Sequence, residues 1–380
     1  MAEWSLECGE CGAPADASGL PTVCEACAKP LLVRYDVAEL DGRALAVEWA
    51  SRPVGMWRYA ELMPLAAGER PTTLGEGGTP TLELHREIDG LAGLRLFVKD
   101  EGQNPTGSFK DRGLAAAVTR AVLAGASGFV IPSAGNAGAA LAAYGARAGL
   151  PVRIYIPRDT PDGVRRRCAG YGAEVVEVDG LIDACGTRAA AFAAETGAFN
   201  ISTLREPYRI EGKKTMMLEI VESLGWQPPD AIIYPTGGGT GLIGSWKVLH
   251  ELYELGLAAA TTRLYAVQGN GCAPIVRAFS EGRESAEAWE GASTEAFGLR
   301  VPAALGDFLI LRALRESGGG AVAVSDEQML EGSAELGAQG VSASIEGGAT
   351  LAAARRLADS GELAPGETVV LFNTAGMLTY

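Results

Sequence analysis

Histidine is scarce in this 380-residue chain, with His85 and His250 the only two. Neither lies in the loops that carry the chemistry read below, so histidine-based triads and histidine-rich metal sites find little support. Basic charge is also short. Lys and Arg number 32 against 47 Asp and Glu, a formal net charge of −15, which argues against a broad nucleic-acid surface. A small anionic ligand is not excluded, because a pocket can be positive on an acidic protein. Long apolar runs are missing, since Gly, Pro or charge interrupts each well before bilayer length. The start, Met1-Ala2-Glu3-Trp4-Ser5-Leu6-Glu7-Cys8, has neither a basic region nor an apolar run, so no export signal is expected. The expectation is a cytoplasmic protein whose seven cysteines are reduced or metal-bound.

Glycine, by contrast, is abundant at 51 residues, many of them clustered between short apolar runs, as in an α/β protein with tight turns. The length suits two domains plus an appendage. The appendage is marked by Cys8, Cys11, Cys24 and Cys27, spaced C-x2-C-x12-C-x2-C. Each C-x2-C knuckle can present two thiolates to one ion. Four thiolates with no histidine point to a closed, structural zinc site, with a rubredoxin-type iron site as the alternative. Cys168, Cys185 and Cys272 are scattered and read as buried thiols.

From about residue 94 the chain alternates strand-like and helix-like segments. Strands are expected over 94–98, 128–131, 152–156, 174–178, 231–234, 263–267 and 368–372, and helices over 108–124, 137–148 and 164–171. That order implies parallel sheets covered on both faces, with ligands held at the carboxyl ends of strands. Three loops then attract notice. In Asn104-Pro105-Thr106-Gly107-Ser108-Phe109-Lys110-Asp111-Arg112-Gly113, Ser108 and Asp111 form an S-x-x-D start signal, which puts Lys110 in the first turn of a helix. The positive helix end lowers an ammonium pKa and favours the neutral amine that a carbonyl group needs. In Ser133-Ala134-Gly135-Asn136-Ala137-Gly138, small residues free backbone N–H groups, and Asn136 can donate and accept. In Pro235-Thr236-Gly237-Gly238-Gly239-Thr240-Gly241, consecutive glycines at a helix start form a phosphate cradle that is neither G-x-G-x-x-G nor a P-loop. A reactive amine, a polar clamp and a phosphate cradle together suit a phosphorylated aldehyde cofactor.

On these residues the chain resembles fold-type II pyridoxal phosphate (PLP) enzymes, and within them the zinc-ribbon-bearing threonine synthase family. Lys99-Asp100-Glu101, Gly75-Glu76-Gly77-Gly78-Thr79-Pro80, the run Glu206-Pro207-Tyr208-Arg209-Ile210-Glu211-Gly212-Lys213-Lys214-Thr215 and Gly298-Leu299-Arg300-Val301-Pro302 add to it. The resemblance implies two parallel-sheet α/β domains of the tryptophan synthase β-like PLP fold behind an N-terminal zinc ribbon. The divisions expected are 1–35 for the ribbon, 36–92 for an extension packing on the large domain, 93–205 for a smaller domain with the cofactor lysine, and 206–380 for a larger domain with the phosphate loop. It implies that Lys110 carries PLP as an internal aldimine and shuttles protons, and that Asn136 meets the ring hydroxyl. Thr236, Gly237, Gly238, Gly239 and Thr240 would hold the phosphate, and Thr374 would face the pyridine nitrogen. Lys99, Ser133 and Arg209 are candidates for the substrate's carboxylate or phosphate. The implied reaction converts O-phosphohomoserine and water to threonine and phosphate in a homodimer.

One segment departs from the family pattern. Where T-G-S-G-L-K or T-G-H-G-L-K is usual, the chain reads Thr374-Ala375-Gly376-Met377-Leu378-Thr379. Altered specificity is therefore a second expectation: β-replacement or β-elimination on serine, phosphoserine or a related amino acid. A zinc-ribbon scaffold with a vestigial pocket is a third, against which intact Lys110, Asn136 and the glycine loop count.

Overall fold

A computed structural model describes residues 2–258 and 262–378. At the amino end, β1 (Glu3–Cys8), β2 (Pro14–Ala15) and β3 (Leu31–Asp36) form an antiparallel sheet in the order β2-β1-β3. The four expected cysteines lie at its turns. This unit docks through Arg312, whose Nη1 donates to the Gly9 carbonyl at 2.8 Å, and through the Tyr35 hydroxyl, which donates to Glu211 at 2.8 Å. Helix α1 (Gly42–Ser51), capped by the Asp41 carboxylate, follows.

Two sheets make up the rest. The larger has the order β12-β11-β10-β13-β5-β4. Its strands are β4 (Thr81–Glu83), β5 (Arg95–Asp100), β10 (Ala231–Pro235), β11 (Arg263–Gly269), β12 (Gly320–Val324) and β13 (Thr368–Asn373). All pair in parallel except the antiparallel edge strand β4. The smaller sheet has the order β8-β7-β6-β9 and is wholly parallel. It contains β6 (Phe129–Pro132), β7 (Val152–Pro157), β8 (Glu174–Val178) and β9 (Phe199–Asn200). The near-continuous apolar runs of β10 and β13 are buried on both faces, as parallel strands between helices must be.

Helices α2 (Lys110–Leu123), α3 (Asn136–Ala148), α4 (Asp162–Gly170) and α5 (Ile182–Thr196) accompany the smaller sheet. The larger sheet is covered by α7 (Thr240–Glu254), α8 (Pro274–Ser280), α9 (Asp307–Glu316), α10 (Asp326–Ala338) and α11 (Ile345–Asp359). Helix α6 (Tyr208–Ser223) packs against both α2 and α7. Gly212 permits this approach, because a Cβ there would stand 1.9 Å from the Arg112 carbonyl oxygen.

Sheet membership does not follow the linear division at 93–205 and 206–380. β5 hydrogen-bonds to β13 in the larger sheet, so the strand leading to Lys110 sits among strands from the carboxyl half. The S-x-x-D signal also behaves otherwise than expected. Helix α2 begins at Lys110 without a side-chain cap. The Asp111 carboxylate turns back into the loop, accepting from the Thr106 N–H at 2.7 Å and from its hydroxyl at 2.5 Å.

Candidate active site

Four strand ends converge on one cavity of about 1040 Å³. β5 leads to the Lys110 loop, β6 to Ser133–Asn136, β10 to the glycine loop, and β13 to Thr374. This is where open parallel sheets bind ligands. Lys110, Ser133, Asn136, Arg209, Gly237, Gly238, Gly239, Thr240 and Thr374 all line it. The chain end is stitched to the lysine loop: the Phe109 N–H donates to the Thr374 carbonyl at 2.9 Å, and the Gly376 N–H to that of Gly107 at 3.1 Å.

Lys110 lies against the Phe109 ring, 3.9 Å from its centroid. Burial, reinforced by the neighbouring Arg209 guanidinium, brings its ammonium pKa down to about 7, with Glu346 opposing. A substantial fraction of this amine is therefore neutral near neutral pH. Asn136 is held by Arg167, whose Nη1 donates to Asn136 Oδ1 at 3.1 Å while its Nη2 donates to the Thr106 carbonyl at 2.9 Å. With Oδ1 accepting, the amide nitrogen of Asn136 is left as a donor for the cavity. The Ser133 hydroxyl accepts from the Gly138 N–H at 2.9 Å and shapes the start of α3.

The glycine loop is tight. A Cβ at Gly237 would lie 2.2 Å from the Gly298 carbonyl oxygen, and one at Gly241 1.9 Å from the Tyr234 hydroxyl. Gly239 has φ +73°, a left-handed conformation open to glycine. Only bare backbone fits, and it presents N–H groups at the start of α7, as a phosphate requires. These residues fit a phosphorylated pyridoxal.

Arg209 is the most telling side chain. It is 1% exposed, and its Nη1 donates to the Ile201 carbonyl at 3.1 Å. Nε and Nη2 are buried without a hydrogen-bond partner, although Nε stands 3.9 Å from a carboxylate oxygen of Glu206. Such donors imply a ligand that completes them. Six basic residues line the cavity (Lys29, Lys110, Arg205, Arg209, Lys213 and Arg300) against the acidic Asp159, Asp307 and Glu346. A protein of net charge −15 has thus built a cationic pocket.

Two expected residues lie elsewhere. Lys99 does not line the cavity. Its Nζ is fully buried and donates to the Thr79 carbonyl and to Glu219, each at 2.7 Å. Arg112 joins the same Glu219 and Glu101, making a closed ion-pair network. Thr236 is likewise behind the loop, donating from its hydroxyl to the Tyr234 carbonyl at 2.9 Å. In the departing tail, Ala375 lines the cavity, whereas Met377 is half exposed and Leu378 is 89% exposed. Thr379 lies outside the described residues.

Lys213 and Glu346 carry charge into the cavity without having been singled out from the sequence. Lys213 stands four residues after Arg209, the helical spacing that puts both on one face, and that signal could have found it. Glu346 has no such mark. It is in the first turn of α11, and its Oε1 accepts from the Gly298 N–H at 2.9 Å.

The amino-terminal thiols converge as well. The Sγ atoms of Cys8, Cys11, Cys24 and Cys27 lie within 4.8 Å of one another, with contacts of 3.4, 3.6 and 3.7 Å. Tetrahedral zinc with bonds of about 2.3 Å sets sulfurs roughly 3.8 Å apart.

Residues 72–375 match the family model described as pyridoxal-phosphate dependent enzyme. Fold, cavity and this match define the class: an enzyme that works through pyridoxal phosphate. The chain is 33% identical over 379 residues to the threonine synthase of Methanosarcina acetivorans, covering 99% of this chain and 92% of that one. It is 31% identical to that of Methanocaldococcus jannaschii, over 97% and 91%. Among solved structures, the T.th. threonine deaminase superposes with TM-score 0.67 at 28% identity, covering 80% of this chain and 93% of that one. Maize serine racemase, at TM-score 0.68 and 24% identity over 79% and 88%, shares the fold. The chain belongs to the threonine synthase family.

Proposed function

We propose that this enzyme converts O-phosphohomoserine and water to threonine and phosphate, with Lys110 as the cofactor-bearing and proton-shuttling residue. The observation that carries the substrate is Arg209: a buried guanidinium that faces the same cavity as Lys110, with Nε and Nη2 making no hydrogen bond and, among the described residues, only Glu206 at 3.9 Å as counter-charge, suits a phosphate monoester. When bound, PLP supplies an electron sink for negative charge developing next to the amino acid's α-carbon. The protein's residues divide the remaining work. The backbone from Gly237 to Thr240 anchors the cofactor phosphate, and the Asn136 amide donates to the ring oxygen. Thr374 offers a neutral hydroxyl to the ring nitrogen, which favours elimination and replacement over transamination. The N–H groups around Ser133 orient the substrate carboxylate, and Arg209 receives its phosphate. Lys110, with a substantial neutral fraction near pH 7, takes and returns protons.

Ala375 supports a second reading. It places a methyl in the cavity where the family pattern has glycine, which favours a smaller substrate such as serine or phosphoserine. Turnover of O-phosphohomoserine, followed by released phosphate and threonine, separates the two. The four-cysteine cluster suits one structural zinc, with its sulfur spacing in support. Metal analysis tells zinc from iron. A cytoplasmic homodimer belongs to the same proposal and is tested by light scattering and by cell fractionation. Among the described residues no helix is long and apolar enough to cross a membrane.

A further inference from the structure

Lys213 is an ammonium in an unusual place. It is 1% exposed, and among the described residues no ion pair joins it to a carboxylate. The charged neighbours that weigh most on it are cationic. Burial, together with Arg209 and Lys110, depresses its pKa well below the usual lysine range, with Glu206 opposing. Its Nζ lies 4.5 Å from the centroid of the Phe109 ring that Lys110 also faces. The surrounding chain makes room for it: a Cβ at Gly113 would stand 2.9 Å from the Lys213 Cε. A lysine buried among cations gives up its proton unless an anion joins it.

The partner of Lys213 shows where that anion sits. Its Nζ donates to the Thr240 hydroxyl. Thr240 is the first residue of α7, directly after Gly237-Gly238-Gly239, where the backbone N–H groups open onto the cavity. We infer that Lys213 is the side-chain cation of the cofactor-phosphate cradle, binding the phosphate monoester together with Thr240 and the start of α7. Arg209, one helical turn earlier with two nitrogens that make no hydrogen bond, is left for the substrate's phosphate. The inference rests on the reading that this cavity holds PLP, and it deepens that reading by assigning the two phosphates to different cations.

The test uses full-length protein stripped of cofactor, with Lys213→Met and Lys213→Arg. Binding of PLP and of pyridoxal, which lacks the phosphate, is followed by the absorbance of the bound cofactor. Lys213→Met is expected to weaken PLP roughly ten- to a hundredfold, the range of a charge-assisted hydrogen bond, and to leave pyridoxal unchanged. Lys213→Arg should recover part of the loss, and the phosphorus resonance of bound PLP should move in the Met variant. Without cofactor, Lys213→Met should melt no lower than the parent, because among the described residues Lys213 takes part in no ion pair that the change would break. Equal weakening of PLP and pyridoxal would overturn the inference, as would undiminished PLP binding. Undiminished PLP binding with weaker competition by inorganic phosphate against substrate would move Lys213 to the substrate's phosphate, against the assignment made here. Failure of the parent protein to bind PLP would instead sink the cofactor reading itself.

Discussion

Lys110 was legible in the sequence because its chemistry is local: a lysine at a helix start, followed by Asp, Arg and Gly. What tunes it was not. The helix end was visible, but burial and Arg209, far along the chain on α6, are what the structure adds. Since the neutral amine captures the cofactor, the rate of PLP uptake by the stripped enzyme should rise with pH through a midpoint near the lowered pKa of about 7. An unperturbed lysine would give a midpoint about three units higher. Stopped-flow absorbance across roughly pH 5–10, at constant ionic strength, measures it. Lys110→Ala should lower kcat by roughly 10³-fold or more while leaving the circular dichroism unchanged. Lys99 shows the opposite case. In sequence it was a cation beside the lysine motif, but its partners, Thr79 and Glu219, are distant and settle its position. Lys99→Met should therefore cost about 3 kcal/mol of stability, as breaking a buried pair does, and leave KM unchanged. Denaturant melts and steady-state kinetics check both halves, and a raised KM at full stability would return Lys99 to the substrate site.

At the scale of elements, strands with continuous apolar runs and the helices between them followed the reading closely, because period and turn residues are local signals. Helix α6 did not declare its depth. Its run Arg209-Ile210-Glu211-Gly212-Lys213-Lys214 has the charge of a solvated face, yet the helix is buried almost throughout. Burial of part of that charge rests on partners within the helix and beyond it: Lys214 pairs with Glu211 of α6 at 2.7 Å and with Glu251 of α7 at 2.8 Å, and Glu211 also receives the Tyr35 hydroxyl. Tyr35 lies on β3, so the amino-terminal sheet takes part in this buried network. Cys24→Ser should release the zinc proposed for the four thiolates and, by loosening β1–β3, lower thermal stability by about 2–4 °C per kcal/mol lost, the scaling for larger domains. Metal analysis and melting of the purified variant check this, and full metal occupancy in the variant would contradict the ligand assignment.

The molecule as a whole combines an acidic composition with a cavity lined by more basic than acidic residues, to which Thr374 and Ala375 contribute. That convergence was legible only in part. The loops could be read singly, but the placement of β5 beside β13 depends on pairing across most of the chain. The tail is where substrate choice is expected to reside, and among the described residues 375–378 Ala375 lines the cavity. Ala375→Gly should change kcat/KM for O-phosphohomoserine by roughly two- to tenfold, the effect of one methyl group in a pocket. Met377→Gly should not, because Met377 is half exposed and does not line the cavity. Equal effects of the two changes would assign the tail a closing role without selectivity. The central claim is the reaction, and the most direct measurement is turnover of O-phosphohomoserine by the PLP-loaded enzyme. Phosphate and threonine should appear in equal amounts, and both should vanish in Lys110→Ala. Absence of phosphate release by the parent enzyme, alongside turnover of serine or phosphoserine, would contradict it.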